Sequence, residues 1–388
     1  MGKRSGLAAR RKAVGRSQES LAEALHTSRS TVARWERGEV QPQPATRSAL
    51  AEILQISLSD LDDLLEGTPA HTPSESFRVA PKEPVGAAHI ESARDRVKQL
   101  LAMEHSFGGM RVANVALDSA HAFERRIDEA GIRAGYNSDA HAAAAELFEV
   151  AGWQLIDAAR PDDVDRANSR ALRHAAAAGD HSMEIFVIQN ESMHLCETGR
   201  ATEALYLTRG VLEQTLSPRL SALFHVREAR ALGRRGDSEA LRVWLKAMAE
   251  YGDGVRESDP YWSWWINDEQ MQLQKAALFR DLGRYDTAID TWQGYLTARS
   301  DDLYLTLVIA QLAQAQARAG AWVDAESTVG SLIDGADDIC SGRAIARIDQ
   351  LAADLKRSPS APGSLREATR LLASFMHHAH AERLASFS

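Results

Sequence analysis

The sequence predicts an all-α protein with a compact helical head and a longer body of stacked helix pairs. Apolar residues recur at helical spacing through most of the 388 residues, without strand-like alternation. A proline-rich segment, residues 67–88, interrupts this pattern near the start. After it, a short glycine-centred motif returns at intervals of 37, 47 and 37 residues. These observations predict a head at 1–66, an extended linker at 67–88 and a body at 89–388.

Charge is distributed unevenly between the predicted parts. Residues 1–50 contain ten Lys and Arg and four Asp and Glu, whereas the remaining chain carries a balance of −15. A basic head on an acidic body indicates that only the head meets a polyanion. No apolar run reaches 18 residues, so no membrane span is expected. Cys196 and Cys340 stand apart without a C-x-x-C motif, which favours a cytoplasmic protein.

The head is predicted to contain five helices, because boundary signals follow each other at short intervals. Ser17 is a favourable N-cap for the second helix, and a turn at 26–27 leads to the third. Gly38 suits the end of the third helix, Pro44 fits the first turn of the fourth, and Ser57 opens the fifth. The predicted core is the apolar face of these helices.

The third helix has two chemically different faces. On a helical wheel, Val32 and Trp35 fall together and are expected to face the core. The opposite side is polar and cationic, with the small Ala33 at its centre. Such a helix, preceded by a short helix and a tight turn, fits the major groove of B-DNA. The alternative for an isolated charged helix is a solvated surface, but the caps, turn and local charge all favour DNA binding.

The run SQESLAEALHTSRSTVARWERG, residues 17–38, resembles the helix-turn-helix of the Cro/phage-repressor (XRE) family. The resemblance covers about residues 6–65. It implies that Gln18 contacts DNA, that the start of the third helix reads base edges, and that Arg37 contacts phosphate. It also implies a structural ion pair between Arg11 and Glu36. The DNA-binding residues predicted in this way are Gln18, Ser28, Arg29, Ser30, Thr31, Arg34 and Arg37, with Arg29 or Arg34 suited to bidentate contact with guanine.

The body contains four copies of a short motif centred on Gly199, Gly236, Gly283 and Gly320. Each glycine is expected to end one helix, and an alanine four or five residues later to begin close packing of the next. Helix pairs of this length are similar to the tetratricopeptide repeat, with the best copy at about 269–300. The predicted fold class is therefore an all-α chain with a five-helix helix-turn-helix domain and a TPR-like α-solenoid.

The body offers candidate ligand contacts but no catalytic motif. Phosphate-binding loops, dinucleotide fingerprints, H-E-x-x-H and G-x-S-x-G are all absent from the sequence, so neither an enzyme nor a cofactor is predicted. His377 and His380 could share a metal, but an exposed helix end is the better interpretation and no metal is predicted. Asn190, Trp262, Trp265 and Asn267 are candidates for an effector site. Packing between repeats is the favoured interpretation of the tryptophans.

These features predict a transcriptional regulator that binds double-stranded operator DNA. We expect it to bind as a homodimer on a pseudo-palindromic site. The combination of head and repeats resembles the peptide-sensing RRNPP group and repeat-bearing regulators of high-GC bacteria. That resemblance implies a peptide or small-molecule effector on the concave face of the body. The acidic balance of the body suits a cationic or neutral effector better than an anionic one. The alternative function is a protein-interaction scaffold whose head is a tether.

Overall fold

The computed structural model describes residues 5–25, 27–56, 61, 64–65, 83–252, 256–298, 305–336 and 339–385. Two compact units are present, residues 1–81 and 82–388. Within the described ranges the regular elements are all helices, and the β-structure consists of one isolated bridge between Val85 and Ile132. The predicted all-α class, with a helix-turn-helix head and a helical-repeat body, is confirmed. None of the described helices is both long and apolar enough to cross a membrane.

The described part of the head contains four helices in the predicted order. They are α1 (Ser5–Ala13), α2 (Gln18–Ala24), α3 (Arg29–Glu36) and α4 (Pro44–Leu54). Leu61 and Leu65, from the predicted fifth helix, are buried in the same core. Ser57, the proposed start of that helix, and His26 in the predicted turn lie outside the described residues.

One apolar core holds the head helices together. Leu7, Leu21, Val32 and Leu50 are nearly inaccessible to solvent and meet at the centre, with Trp35 beside them. Burial of side chains of this size contributes about 1.5–3 kcal/mol each. Because the two large apolar residues of α3, Val32 and Trp35, face this core, the opposite side of α3 is left at the surface.

The body is a succession of seven described helix pairs. The first four pairs are α5 (Ala87–Phe107) with α6 (Gly109–Ala130), α7 (Asn137–Asp157) with α8 (Pro161–Ala178), α9 (His181–Glu197) with α10 (Ala201–Leu212), and α11 (Pro218–Arg234) with α12 (Ala240–Glu250). A 3₁₀ turn at Tyr261–Trp265 follows. The last three pairs are α13 (Asp268–Asp281) with α14 (Tyr285–Thr297), α15 (Leu305–Ala319) with α16 (Trp322–Asp334), and α17 (Gly342–Arg357) with α18 (Gly363–Ala385).

The glycine motif marks the turn inside four of these pairs. Gly199, Gly236, Gly283 and Gly320 have φ values between 69° and 87°, a backbone conformation that strongly favours glycine. The alanines that follow, Ala204, Ala240, Ala288 and Ala325, are fully buried where the paired helices approach each other. The motif is therefore a turn signal combined with a close-packing signal, as predicted.

The two ends of the body's superhelix touch each other. Ser341, the N-cap of α17, donates a hydrogen bond from Oγ to Asp157 Oδ1 at 2.7 Å, and Asp157 ends α7. A Cβ on Gly342 would lie 2.6 Å from the backbone of Ala158, so only glycine fits this contact. Met110 at the start of α6 packs against the apolar cluster formed by the last helices. The solenoid is consequently closed rather than open-ended.

The end of the predicted linker is part of the body. Val85 is fully buried, receives a backbone hydrogen bond at its carbonyl from Arg133 N at 2.9 Å, and donates one from its N–H to Gly131 O at 2.9 Å. Helix α5 then begins at Ala87. The sequence did not predict this attachment, because it depends on a single apolar residue, Val85, within a proline-rich segment.

Candidate nucleic-acid interface and ligand cavity

Helix α3 is positioned by its caps and by its apolar face. Ser28 is the N-cap, and its Oγ accepts a hydrogen bond from Thr31 N at 3.2 Å. Gly38, two residues beyond the helix, has φ 75° and turns the chain away. Val32 and Trp35 are 1% and 4% exposed, respectively, and hold the helix on the core. The remaining side of α3 is available to another molecule.

Three predicted DNA-binding arginines lie on or at the end of α3 with exposed side chains. Arg29 is 67% exposed, Arg34 is 53% and Arg37 is 51%. Each guanidinium pairs with a carboxylate at the surface: Arg29 with Glu19 at 2.7 Å, and Arg37 with Glu39 at 2.6 Å, where Arg34 is 3.8 Å away. Surface ion pairs contribute about 0–1 kcal/mol, so a phosphate or base edge can replace these carboxylates at small cost.

The carboxylates that neutralise these arginines are themselves acidified. The hydrogen bond from Arg37 lowers the pKa of Glu39, and the charge of Arg34 acts in the same direction. The pKa of Glu19 is also lowered, chiefly by a backbone hydrogen bond and further by Arg29. Both acids are therefore ionised at neutral pH and compete with a polyanion for the same guanidinium groups.

Gln18 and the pair Arg11–Glu36 form a connected polar group under α2 and α3. Arg11 Nε lies 2.6 Å from Glu36 Oε1, and both side chains are more than nine-tenths buried. Gln18 Nε2 donates to Glu36 Oε2 at 2.6 Å, which sets the orientation of its amide. The ion pair implied by the family resemblance is present, and Gln18 is held by it at the start of α2.

The hydroxyl groups predicted to read bases are bonded to each other. Ser28 Oγ lies 2.8 Å from both Ser30 Oγ and Thr31 Oγ1 while it caps the helix. Ser30 is exposed and Thr31 is half-buried. Ser28 thus has a structural role at the N-terminus of α3, beside any contact that it makes with DNA.

The body encloses a cavity of about 610 Å³ between the first helices of several pairs. Its apolar lining includes Trp153, Met193, Leu273, Trp292 and Val308. Its charged lining is mostly arginine and includes Arg230, Arg234, Arg343 and Arg347 together with Glu197, and four glutamines add neutral polar groups. A second, more open groove of about 850 Å³ runs between α13 and α14, where Asp268, Glu269 and Asp290 make it acidic.

Glu197 at the end of α9 is the centre of an ion cluster beside this cavity. It pairs with Arg230 at 2.5 Å, with Arg347 at 3.0 Å and with Arg280 at 3.3 Å, which come from α11, α17 and α13. Burial opposes its ionisation, but these three guanidinium groups hold the pKa of Glu197 well below its ordinary value. Four helices are thus tied together through one carboxylate.

The four predicted effector residues have internal roles and do not line the cavity. Trp262 is buried, stacks on Phe186 with ring centroids 4.6 Å apart, and donates its indole N–H to Ser182 Oγ at 3.1 Å. Trp265 packs half-buried against the same apolar cluster. Asn267 caps α13 by accepting from Gln270 N at 3.0 Å. The contacts of Trp262 and Trp265 agree with the packing interpretation of these two tryptophans.

Asn190 belongs to a buried polar chain. Its Nδ2 donates to Glu149 Oε1 at 2.8 Å, and its Oδ1 accepts from Gln189. Arg227 donates to Gln189 Oε1 at 2.8 Å and completes the chain. The amide of Asn190 is therefore used inside the protein and not at the cavity wall.

Sequence reasoning missed the arginines of the cavity, although a signal was present. Arg230 and Arg234 are four residues apart on α11, and Arg343 and Arg347 are four apart on α17. Both sets occupy one helical face. A charged face on a helix that is otherwise apolar can be solvated or buried, and only the packing decides between these outcomes.

Comparisons with known proteins address the head more directly than the body. Residues 7–61 match the family model HTH_3, described as helix-turn-helix. The chain matches none of the curated proteins significantly. Among solved structures, it is similar to the crystal structure of Bacillus thuringiensis PlcR in complex with the peptide PapR7 and DNA. The match covers 83% of this chain and 99% of that chain, at 14% sequence identity and a TM-score of 0.33. A superposition this loose does not define a common fold, so the function is inferred from the residues of this chain.

Proposed function

We propose that this protein is a sequence-specific DNA-binding transcriptional regulator whose head inserts α3 into the major groove. The observation that carries the proposal is the division of α3 into a buried apolar face and an exposed arginine face. Trp35 anchors the helix, and Arg29, Arg34 and Arg37 are presented at the surface within a matched helix-turn-helix segment. Direct readout by arginine requires exposed, orientable guanidinium groups on such a helix.

The roles within α3 follow from position. Arg29 and Arg34 lie in the helix one and a half turns apart, and we assign them to base edges, with Arg34 as the discriminating contact. Arg37 lies just beyond the helix end and is assigned to phosphate. Gln18, Ser28, Ser30 and Thr31 supply further polar contacts at the helix N-termini, where backbone N–H groups also favour phosphate.

The body is proposed to dimerise, to bind an effector, or both. Stacked helix pairs present an extended inner surface, and here that surface encloses a cavity with two tryptophans in its wall. A ligand that binds one curvature of the superhelix better than another would shift the population of the two. In a dimer, such a shift would change the spacing of the two heads and hence the half-sites that they reach.

DNA-affinity sequencing of the full chain tests the central assignment, with the region upstream of its own gene and random DNA as competitors. Arg34→Ala should cost about 1–3 kcal/mol at one base position and relax specificity there. Arg37→Ala should instead weaken binding to all sequences and reduce the salt slope by about 1. Arg370→Ala, which removes an exposed guanidinium of the body, is the matched control and should change neither property.

Two results would contradict the proposal. One is equal binding of upstream and random DNA at every salt concentration. The other is an unchanged base preference in the Arg34→Ala protein. If DNA binding were absent while the full chain still captured a partner protein, the scaffold function would be the better assignment.

A further inference from the structure

The wall of the body cavity carries more positive than negative charge, although the body as a whole is acidic. Five guanidinium groups face three carboxylates in the cluster, which leaves a formal charge of +2. The cations are Arg230, Arg234, Arg280, Arg343 and Arg347, and the anions are Asp157, Glu197 and Asp281. Burial lowers the pKa of His194, so this histidine adds no charge at neutral pH.

The excess charge is concentrated on one helix. Arg343 and Arg347 both come from α17, and their side chains are 20% and 11% exposed. Arg343 shares Asp157 with Ser341, and Arg347 shares Glu197 with Arg230 and Arg280. Arg347 therefore has only a share of one carboxylate in a poorly solvated place, and such a shortage of negative charge is costly.

Arg347 shows this shortage most clearly. Its terminal nitrogens donate to Gln314, Gln350 and Glu197, but its buried Nε has no hydrogen-bond partner within the described residues. Burial and the nearby charge of Arg280 lower the pKa of Arg347 to about 10. An anion entering the cavity beside the terminal nitrogens would offset the nearby charge of Arg280.

The rest of the wall is apolar and aromatic. Trp153 is half-buried, and its ring lies 5.4 Å from the guanidinium carbon of Arg343. Trp292 also lines the cavity, although its side chain is almost fully buried. Leu273, Leu307 and Val308 add aliphatic surface. A ligand that fills such a site needs an apolar portion for these walls and an anionic group for the guanidinium pair. The groove between α13 and α14 is acidic, so the cationic character belongs to this cavity and not to the body surface generally.

We propose that the cavity binds a carboxylate attached to an apolar body, with Arg343 and Arg347 holding the carboxylate and Trp153 and the neighbouring aliphatic wall contacting the apolar portion. Guanidinium groups bind carboxylates with two parallel hydrogen bonds, and one negative charge halves the excess charge of the cluster. This ligand class differs from the cationic or neutral one that the body's overall charge suggests. The inference rests on the proposed effector role of the cavity, and it does not depend on DNA binding by the head.

The test uses the full chain without DNA and octanoate as the probe, with octanol and octylammonium as neutral and cationic controls of the same length. Octanoate should raise the thermal midpoint and change the tryptophan fluorescence saturably, whereas the two controls should do so much less. Arg347→Gln and Arg343→Gln should each weaken octanoate binding about tenfold or more. Arg370→Gln, at an exposed pair on α18, should bind octanoate like the wild type.

Two sources of the carboxylate can be separated with a capped apolar tetrapeptide. If the free C-terminal form binds much more tightly than the C-terminal amide and than octanoate, the source is a peptide terminus; if octanoate binds more tightly, it is a small organic acid. Equal binding of octanoate and octanol would overturn the proposal. So would unchanged octanoate binding in a folded Arg347→Gln protein, or the absence of binding by both octanoate and the tetrapeptide with a free C-terminus. The octanoate and octanol comparison needs no variant, so it decides the question even if both variants fail to fold. If the wild-type protein showed no preference for its upstream DNA, the regulator assignment would fail. The octanoate result would still hold, because it is measured without DNA.

Discussion

On the head, the side chains of Arg29, Arg34 and Arg37 are 51–67% exposed and pair with two surface carboxylates, whereas in the body Arg230, Arg280 and Arg347 are only 2–11% exposed and meet at Glu197. Arginine is thus a surface cation with exchangeable partners in the head, and a buried link between helices in the body. Desolvation causes this difference. A surface arginine can exchange its carboxylate for another anion at a small cost in free energy, whereas the loss of a partner in a buried ion pair is strongly destabilising.

The contrast also separates two kinds of specificity. Head arginines are ready to meet a polyanion because water and two glutamates hold them loosely. In the proposed ligand site, body arginines would select among ligands, because any ligand must suit charges that are already in place. Four substitutions test this contrast, from the largest expected effect to the smallest.

Arg230→Met should break the internal tie and destabilise the body by about 3–5 kcal/mol. The guanidinium of Arg230 bridges Glu197 at 2.5 Å and Asp281 at 2.8 Å, and Asp281 is nearly inaccessible to solvent. Its removal takes away two charge-assisted hydrogen bonds inside the body and leaves Arg280 as the guanidinium that still contacts both carboxylates. Urea denaturation of the full chain measures the loss. Arg370→Met at the surface should change the free energy of unfolding by less than about 0.5 kcal/mol, and equal losses in the two variants would show that burial is not the deciding factor.

Glu149→Gln should stabilise the body above pH 8 by about 2–4 kcal/mol, with almost no gain below pH 4.5. Burial, and after it the nearby Glu104, raises the pKa of Glu149 to about 8. The folded protein therefore keeps a proton that the unfolded chain releases near pH 4.5, and the free energy of unfolding falls as pH rises between these values. Glutamine keeps an acceptor for Asn190 and cannot ionise.

Unfolding measured across this pH range tests the Glu149 prediction. Glu39→Gln in the head is the comparison, because the pKa of Glu39 is lowered and any stability it contributes is lost as pH falls, the opposite sign. If the Glu149→Gln protein kept the pH dependence of the wild type, the buried carboxyl would not be the titrating group.

Gly342→Ala should open the contact between the two ends of the superhelix and cost about 1–3 kcal/mol. The added methyl would meet the backbone of Ala158 at 2.6 Å, and backbone cannot rotate away as a side chain can. Gly294→Ala on α14 is the control, since a Cβ there would meet no neighbouring atom within 4 Å and the helix should gain about 0.5–1 kcal/mol. Hydrogen exchange at the end of α7 and the start of α17 would locate the opening. Unchanged protection at both places would contradict the closure.

Ser28→Ala should destabilise the head by about 0.5–2 kcal/mol through loss of the N-cap on α3. The body should be unaffected, because Ser28 contacts only head residues in the described structure. Thermal unfolding followed by exchange of the α3 amide protons measures the effect. Ser30→Ala removes a hydroxyl that caps nothing and should leave these amides nearly unchanged; a loss as large as that of Ser28→Ala would disprove the capping role.

Local sequence determined the helices, their ends and the orientation of α3. Ser17 caps the helix that it was predicted to cap, and Val32 and Trp35 face the core. Gly199, Gly236, Gly283 and Gly320 turn the chain inside helix pairs. These outcomes depend on residues a few positions apart, where backbone preference and helical periodicity act directly. The contacts of Arg29, Arg34 and Arg37 with DNA stay predictions.

Only the tertiary structure decided where the body's charges meet. Arg347 and Glu197 are 150 residues apart, and Ser341 and Asp157 are 184 apart. Each pair forms because small rotations between successive helix pairs accumulate until the superhelix returns to its start. No local pattern encodes the sum of those rotations. For that reason the closed ring, the ion cluster at Glu197 and the cationic cavity could be found only after the chain was folded.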